Sequence, residues 1–304
     1  MNPKLTDYIA GLLSLAEKRG LRMIDERDID YGVQIKLANN TDEIPINIYY
    51  SQKKGITSVI GGRSANPLKP VLQKLLNQKI ESTTIDHNWT VWAGTDESGK
   101  GDFFGPLAVC GFICKKAMIP SLIKLGVQDS KKIKDEQIII IAKHLFSRFM
   151  PQIETLVLMP AKYNELYEKF RMQNKKLNEM LAWMHGRVIL NLKKKHDFEG
   201  AVVDKFASDK TLLSSLKDMK GINLKHQVKA ERDLAVAAAS IIARYLFLKN
   251  MKSLSDEYNI ELPKGASKKV IETAQIFSNE FGKNKLRDIA KIHFKTYNEI
   301  KDNT

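Results

Sequence analysis

The sequence has little of what would build a disulfide scaffold or a thiolate metal site. Only two cysteines and six histidines occur among 304 residues. Cys110 and Cys114 fall on one predicted strand, where a spacing of four residues puts their Cα atoms about 13 Å apart. That separation lies beyond the reach of a disulfide. We therefore interpret both as small core residues of a cytoplasmic protein.

Long apolar segments and an excess of acid are also missing. No apolar run approaches the roughly 18 residues of a membrane helix, and the first residues, Met-Asn-Pro-Lys, do not begin a signal peptide. Lysine and arginine number 49 against 35 acids, which gives a formal net charge of +14. Such an excess favours a polyanionic partner. Nucleic acid is the first expectation, and an anionic membrane surface is the second.

The hydrophobic pattern predicts two domains. Residues 1–82 form a small α+β unit, in which Val33, Ile35 and Leu37 alternate with polar residues as in a half-buried strand. Its predicted elements are helices Leu5–Arg19 and Leu68–Asn77 and strands Gly32–Ala38, Ile44–Ser51 and Gly55–Ile60. After a linker over 78–88, strands alternate with helices across 90–304, which is typical of a larger α/β domain.

The larger domain is predicted to contain five strands and several helices. The strands are Trp89–Ala93, Leu107–Ile113, Ile153–Met159, Ala201–Asp204 and Asn223–Ala230. The helices are Asp135–Phe149, Ala161–Lys195, a buried helix over Leu234–Ala243, Lys268–Phe281 and Lys285–Ile289. The helix at Leu234 is apolar on every side, so we expect it to lie inside the core.

One stretch, Gly94–Pro106, combines two adjacent acids with a glycine-rich loop. Adjacent strand residues point to opposite faces, so Asp96 and Glu97 can face one site only if the chain bends there. Glycines allow such a bend and let backbone amides approach a phosphate closely. A solvated hairpin with two surface acids is the alternative.

Carboxylates also end two other predicted strands, at Asp204 and Glu231. Oxygen ligands suit Mg²⁺ or Mn²⁺, and two such ions about 4 Å apart can catalyse phosphoryl transfer. Acids also end strands as turn formers, so Asp204 alone is weak evidence. Asp233 competes with Glu231 as a ligand, but its place before the Ala-rich helix is explained by capping.

Several stretches in order resemble the prokaryotic type 2 ribonucleases H, and a Gly-Lys-Gly loop in place of Gly-Arg-Gly resembles the ribonuclease HIII branch. The match runs from about residue 90 to the C-terminus. The stretches that carry it are Thr95–Leu107, Asp129–Lys132, Asn178–Gly186, Ala201–Asp204, Lys229–Glu231, Ala237–Ser240 and Leu262–Ser267.

The resemblance implies an RNase H-like mixed sheet flanked by helices, preceded by a TATA-binding-protein-like domain that supplies affinity for an RNA–DNA hybrid. It implies cleavage of the RNA strand to 5′-phosphate and 3′-hydroxyl ends, with no membrane and no obligate protein partner. Two Mg²⁺ or Mn²⁺ ions would be bound by four catalytic carboxylates, Asp96, Glu97, Asp204 and Glu231.

The resemblance also implies a set of substrate contacts. The loop Gly99–Lys100–Gly101 would read 2′-hydroxyls, the groups that distinguish RNA from DNA. Ser98, Ser130, Lys131 and Lys132 would flank the strands, and we interpret His185 and His226 as structural. Two alternatives stay open: incision at single ribonucleotides in duplex DNA, as in ribonuclease HII, and a non-catalytic hybrid-binding protein.

Overall fold

The computed structural model describes residues 3–51, 55–77, 87–204, 223–227 and 230–301. Within the chain there are two compact units, Met1–Asp86 with Pro120–Gly126, and His87–Ile119 with Val127–Thr304. Most of the predicted linker, 78–86, lies outside the described residues. The domain bounds 1–82 and 90–304 stay predictions.

The first unit contains a four-stranded antiparallel sheet in the order β1-β2-β3-β4. Its elements are α1 (Pro3–Glu17), β1 (Arg22–Ile29), β2 (Gly32–Ala38), β3 (Glu43–Ser51), β4 (Gly55–Ile60) and α2 (Leu68–Asn77). The alternation predicted for β2 is confirmed, since Val33, Ile35 and Leu37 are buried against apolar residues of both helices. The sequence analysis missed β1, an edge strand exposed along almost its whole length.

The second unit contains a five-stranded mixed sheet in the order β7-β6-β5-β8-β9. The antiparallel half is β5 (Val91–Ser98), β6 (Leu107–Lys115) and β7 (Ile153–Leu158). Two further strands, β8 (Gly200–Asp204) and β9 (Asn223–Gln227), run parallel to β5. The mixed α/β fold expected from the sequence is confirmed. Cys110 and Cys114 are free and buried on β6, as predicted.

Helices cover both faces of this sheet. The helices of this unit that precede β8 are α4 (Asp135–Phe149), α5 (Pro160–Met172) and α6 (Leu177–Lys195), and those that follow β9 are α7 (Leu234–Tyr258), α8 (Lys268–Phe281), α9 (Leu286–Ile289) and α10 (Lys295–Glu299). A short helix between β6 and β7, α3 (Ile119–Lys124), belongs mostly to the first unit. A Cβ on Gly94 of β5 would lie 2.2 Å from the backbone nitrogen of Val236, so α7 packs directly on that face. On the other face, α6 packs against the sheet through Val188 and Leu192.

The helix α7 is longer and more apolar than the sequence analysis expected. It is long and apolar enough to cross a membrane by length and composition, with a mean hydropathy of 1.4 over its most apolar window. The prediction that no run reaches that length is therefore wrong. However, 67% of that window is buried inside the protein, as in a core helix.

Several predicted ends differ by one or two residues, and three further elements differ more. The expected helix Ala161–Lys195 is two helices, because the chain between α5 and α6 turns at Asn174, whose φ is +57°. The strand expected over Trp89–Ala93 begins at Val91 and continues to Ser98. The strand expected to reach Ala230 is described only to Gln227, and Glu231 lies in a 3₁₀ turn instead. Helices α4 and α8 have the predicted bounds.

Candidate active site

A cleft of about 510 Å³ opens where β5 ends. The side chains that line it include Asp96, Glu97 and Asp204, so the structure brings together three of the four predicted catalytic carboxylates. Among the described residues, Glu231 is not part of this lining. Ala230, next to it, donates its backbone N–H to Asp204 Oδ1 at 3.3 Å, so the turn of Glu231 adjoins the Asp204 carboxylate.

Asp96 faces α7, the helix that carries Ser240. The pKa of Asp96 is raised to about 8, chiefly by burial and also by the negative charges of Glu97 and Asp204, while hydrogen bonds from Ser240 and from the Glu97 backbone oppose the shift. The backbone N–H of Glu97 donates to Asp96 Oδ1 at 2.8 Å. Asp96 is therefore a carboxylate crowded by other carboxylates, and a bound cation would relieve that repulsion.

Glu97 lies on the opposite face of β5, against α6. Its Oε2 lies 3.1 Å from Nε2 of His185, and Nδ1 of the same ring lies 2.8 Å from Oγ1 of Thr95. Burial opposes ionisation of Glu97, but His185, then Lys100 and Lys131, hold the pKa of Glu97 below its usual value. His185 is fully buried, so it orients a carboxylate that lines the cleft. The sequence analysis interpreted His185 as structural and did not foresee its contact with Glu97, because nothing in the sequence links the two residues.

The glycine-rich loop forms one wall of the cleft. Gly99 has φ +94°, and a Cβ there would lie 2.1 Å from the carbonyl oxygen of Pro106, so only glycine fits. A Cβ on Gly101 would meet nothing within 4 Å, so the fold itself does not require glycine there. Lys100 extends beside this loop, with Nζ 3.9 Å from Glu97 Oε1. Ser98 also lines the cleft.

The predicted polar turn is a short 3₁₀ helix, Ser130–Lys132, capped by the side chain of Asp129. Ser130 and Lys131 line the cleft, whereas Lys132 is absent from its described lining. Ser130 Oγ lies 2.7 Å from Ser240 Oγ, which connects this turn to α7. Because Ser240 also hydrogen-bonds Asp96, the turn is joined to the carboxylate through one hydroxyl.

Asp233, the competitor of Glu231, has a clear structural role. Its Oδ1 accepts hydrogen bonds from the backbone N–H groups of Ala235 and Val236 at the start of α7, and from Nε1 of Trp92 at 2.9 Å. Its Oδ2 lies 3.2 Å from Nε2 of His87. The side chain is only 1% exposed. The predicted capping role of Asp233 is confirmed.

The donor chemistry of the cleft suits a hard metal ion. Asp96, Glu97 and Asp204 offer only oxygen ligands, the kind that Mg²⁺ and Mn²⁺ prefer. Across the part of the chain that the structure describes, no three acidic, histidine or cysteine side chains converge closely enough to hold an ion. The residues fit a divalent cation by charge and donor type.

Comparison with known proteins agrees with this architecture. The family model "Ribonuclease HII" matches residues 93–297. The chain belongs to the type 2 ribonuclease H family. Its relatives include the ribonuclease HIII of Chlamydia felis, 43% identical over 69% of this chain and 69% of that protein. The ribonuclease HIII of Protochlamydia amoebophila is 39% identical over 77% of this chain and 75% of the relative.

Solved structures of ribonucleases HIII resemble almost the whole chain. Bst-RNase HIII in complex with Mn²⁺ has a TM-score of 0.64 and 26% identity, covering 98% of this chain and 95% of that one. Aquifex aeolicus RNase H3 has a TM-score of 0.54 and 28% identity, covering 97% of this chain and 98% of that one. The resemblance to the ribonuclease HIII branch is thereby confirmed, and the protein is a ribonuclease H enzyme.

Proposed function

We propose that this ribonuclease H cleaves the RNA strand of RNA–DNA hybrids and leaves 5′-phosphate and 3′-hydroxyl ends. The observation that carries the proposal is the meeting of Asp96, Glu97 and Asp204 with the glycine-rich loop in one cleft. Two Mg²⁺ or Mn²⁺ ions would be held by these carboxylates and by Glu231. When bound, the ions would supply activation of the nucleophile and stabilisation of charge at phosphorus.

The protein's own groups supply binding and orientation. His185 fixes the Glu97 carboxylate, and Ser240 fixes that of Asp96. Gly101 is exposed, and a Cβ there would meet no protein atom within 4 Å, so a ribose could approach its backbone closely. Lys100 and Lys131 add positive charge at the wall of the cleft, where a phosphate backbone would lie.

Residues 1–82 are proposed to add affinity for the hybrid without taking part in the chemistry. The net charge of +14 supports a polyanionic substrate and predicts binding that weakens as salt rises. We propose no obligate protein partner. A cytoplasmic location stays a prediction.

The family model carries the name of ribonuclease HII, so incision at single ribonucleotides in duplex DNA is the second candidate. Two labelled substrates separate the candidates at one fixed low salt: a uniform RNA–DNA hybrid, and duplex DNA that contains a single ribonucleotide. Each is incubated with Mg²⁺, Mn²⁺ or EDTA. We expect metal-dependent cleavage of the hybrid alone. Efficient incision at the single ribonucleotide would assign the second activity, and intact binding without any cleavage would leave a non-catalytic hybrid-binding protein.

Substitution of a predicted ligand tests the site itself. Asp204→Asn keeps the shape of the side chain and removes its charge, so we expect cleavage to be lost while hybrid binding survives. The matched control is Asp197→Asn, because Asp197 is fully exposed just after α6. Near-normal turnover of the Asp204 variant would refute the assignment.

A further inference from the structure

Lys291 is a buried cation that the mechanism above does not use. It lies just after α9, and none of its side chain is exposed. Its Nζ donates hydrogen bonds to three backbone carbonyl oxygens, those of Asp102 at 2.8 Å, Phe104 at 3.3 Å and Gly105 at 2.7 Å. Lysine is almost never fully buried unless it is paired, so the complete burial of Lys291 requires a physical explanation.

The number of donors matches the number of carbonyls. An ammonium group has three N–H donors and no acceptor, and here each carbonyl takes one. Burial lowers the pKa of Lys291 to about 7, and the negative charge of Asp102 opposes this shift. Replacement by an apolar side chain would leave three carbonyl groups without this donor, two of them buried, where lost hydrogen bonds are costly.

The three carbonyls belong to the segment that directly follows the glycine-rich loop Gly99–Gly101. The backbone ties the same segment to the C-terminal region, since Lys291 N–H donates to the Phe103 carbonyl at 2.8 Å and Gly105 N–H donates to the Ile289 carbonyl at 2.8 Å. The side chain and backbone of Lys291 therefore both hold the segment that follows the loop. We call these contacts the clamp.

A second set of contacts ties the same segment to Gly265, which lies just before α8. The backbone N–H of Gly265 donates to Asp102 Oδ1 at 2.7 Å, and that of Phe103 donates to the Gly265 carbonyl at 2.8 Å. Gly265 belongs to the stretch Leu262–Ser267, one of those that carried the family resemblance. Two regions distant in sequence thus fix the segment after the glycine-rich loop.

The residues around Lys291 are themselves anchored. Asn164 of α5 donates to the carbonyl oxygens of Arg287 at 3.0 Å and Ala290 at 2.8 Å, and its Oδ1 accepts from the Ile292 N–H at 3.1 Å. The backbone on both sides of Lys291 is consequently fixed to a helix. Through its hydrogen bonds to the three carbonyls, the ammonium group of Lys291 in turn fixes the segment that follows the loop.

We propose that Lys291 is a positioning residue for substrate recognition, which sets the position from which Gly99–Gly101 contacts the RNA strand. The inference rests on the proposed function, since it assigns the loop to ribose recognition. Loosening the clamp should weaken the distinction between RNA and DNA more than it weakens the chemistry, because the hydrogen bonds of Lys291 go to backbone carbonyls and not to Asp96, Glu97 or Asp204.

The test compares Lys291→Met with Phe277→Leu. Methionine has a similar length and no donor, while Phe277 lies in the same hydrophobic cluster as Phe103 and Phe104 without a hydrogen bond to the loop. Affinity for an RNA–DNA hybrid and for a DNA duplex of the same sequence is measured in EDTA, which prevents cleavage. The kcat and KM for hybrid cleavage are then measured with Mg²⁺, at a temperature below the melting temperatures of both protein variants.

We expect Lys291→Met to reduce the preference for the hybrid by about tenfold, the worth of one or two neutral hydrogen bonds, and to raise KM by a similar factor. Phe277→Leu should lower the melting temperature and leave both quantities unchanged. If the methionine variant does not fold, Lys291→Gln, which keeps two donors at a shorter reach, takes its place with a smaller expected loss.

An unchanged preference and KM in the folded Lys291 variant, or equal losses in Phe277→Leu, would overturn the inference. Wild-type protein separates this outcome from failure of the proposed function. If the wild type does not prefer the hybrid, the proposed function fails. If it does and the Lys291 variant keeps that preference, only the role of Lys291 fails.

Discussion

Removing the Asp233 carboxylate provides a quantitative test of how the long helix α7 is held. Asp233 caps α7 through the N–H groups of Ala235 and Val236, and it also accepts a hydrogen bond from the buried indole of Trp92. In Asp233→Ala all of these donors lose their acceptor. The loss of the cap alone costs about 1 kcal/mol.

A second cost comes from the indole N–H of Trp92. Trp92 is fully buried, so its donor has no access to water once the carboxylate is gone. A buried donor left without a partner costs about 1–3 kcal/mol. The two contributions predict a loss of roughly 2–4 kcal/mol in the free energy of unfolding, from the cap and the orphaned donor together. For a unit of this size we expect the melting temperature to fall by roughly 5–15 °C.

The companion variant Asp233→Asn separates stability from catalysis. Asparagine keeps an oxygen that can accept from the helix and from Trp92, and it caps helices about as well as aspartate. We expect a small change in melting temperature and nearly wild-type kcat, measured by thermal unfolding and hybrid cleavage. Loss of cleavage as complete as that expected for Asp204→Asn would refute the reasoning, because Asp233 would then assist Glu231 at the metal site.

Three other perturbations follow from the same structure. His185→Ala removes the partner of Glu97 and should lower activity by about 10–100-fold, measured as kcat at saturating Mg²⁺; an unchanged kcat would contradict the orienting role. Gly94→Ala places a Cβ 2.2 Å from the Val236 nitrogen. We expect the free energy of unfolding, measured with denaturant, to fall by about 3 kcal/mol. Stability equal to that of the wild type would mean that α7 can shift away from β5. Deletion of residues 1–82 should raise KM far more than it lowers kcat, and the reverse would mean that this unit shapes the active site.

Local patterns were sufficient for part of the fold. The alternation along β2, the bounds of α4 and the buried nature of α7 could all be predicted, because each depends on the period or composition of a short segment. Strand β1 could not be predicted, because an edge strand that is exposed on both faces has no alternation to read. The break at Asn174 was missed because neither a glycine nor a proline marks it.

Side chains that act through distant neighbours leave no local signal. His185 is 88 residues from Glu97 in sequence, and Lys291 is 186 residues from Gly105. In the sequence, the histidine is one residue of an apolar helix and the lysine is one of many basic residues. Only the tertiary fold shows that one orients a carboxylate and that the other holds the loop.

The register of the sheet explains how two adjacent acids on one strand reach one cleft. Residues 94 and 96 of β5 face α7, and residues 95 and 97 face α6, as a regular strand requires. The strand keeps its pairing with β6 through Ser98, so the bend expected from the sequence is not needed for both acids to line the cleft.

The space for the cleft comes from the other neighbour of β5. Pairing with β8 stops at Thr95 and Val203, and the next residues along the two parallel strands are Asp96 and Asp204. Asp96 and Asp204 therefore lie at the same level of the sheet. Beyond that point, among the residues that the structure describes, β5 is paired only with β6, and side chains from both faces of β5 line the cleft. Parallel pairing of β5 with β8 thus brings Asp96 and Asp204 to the same level of the sheet, where both line the cleft.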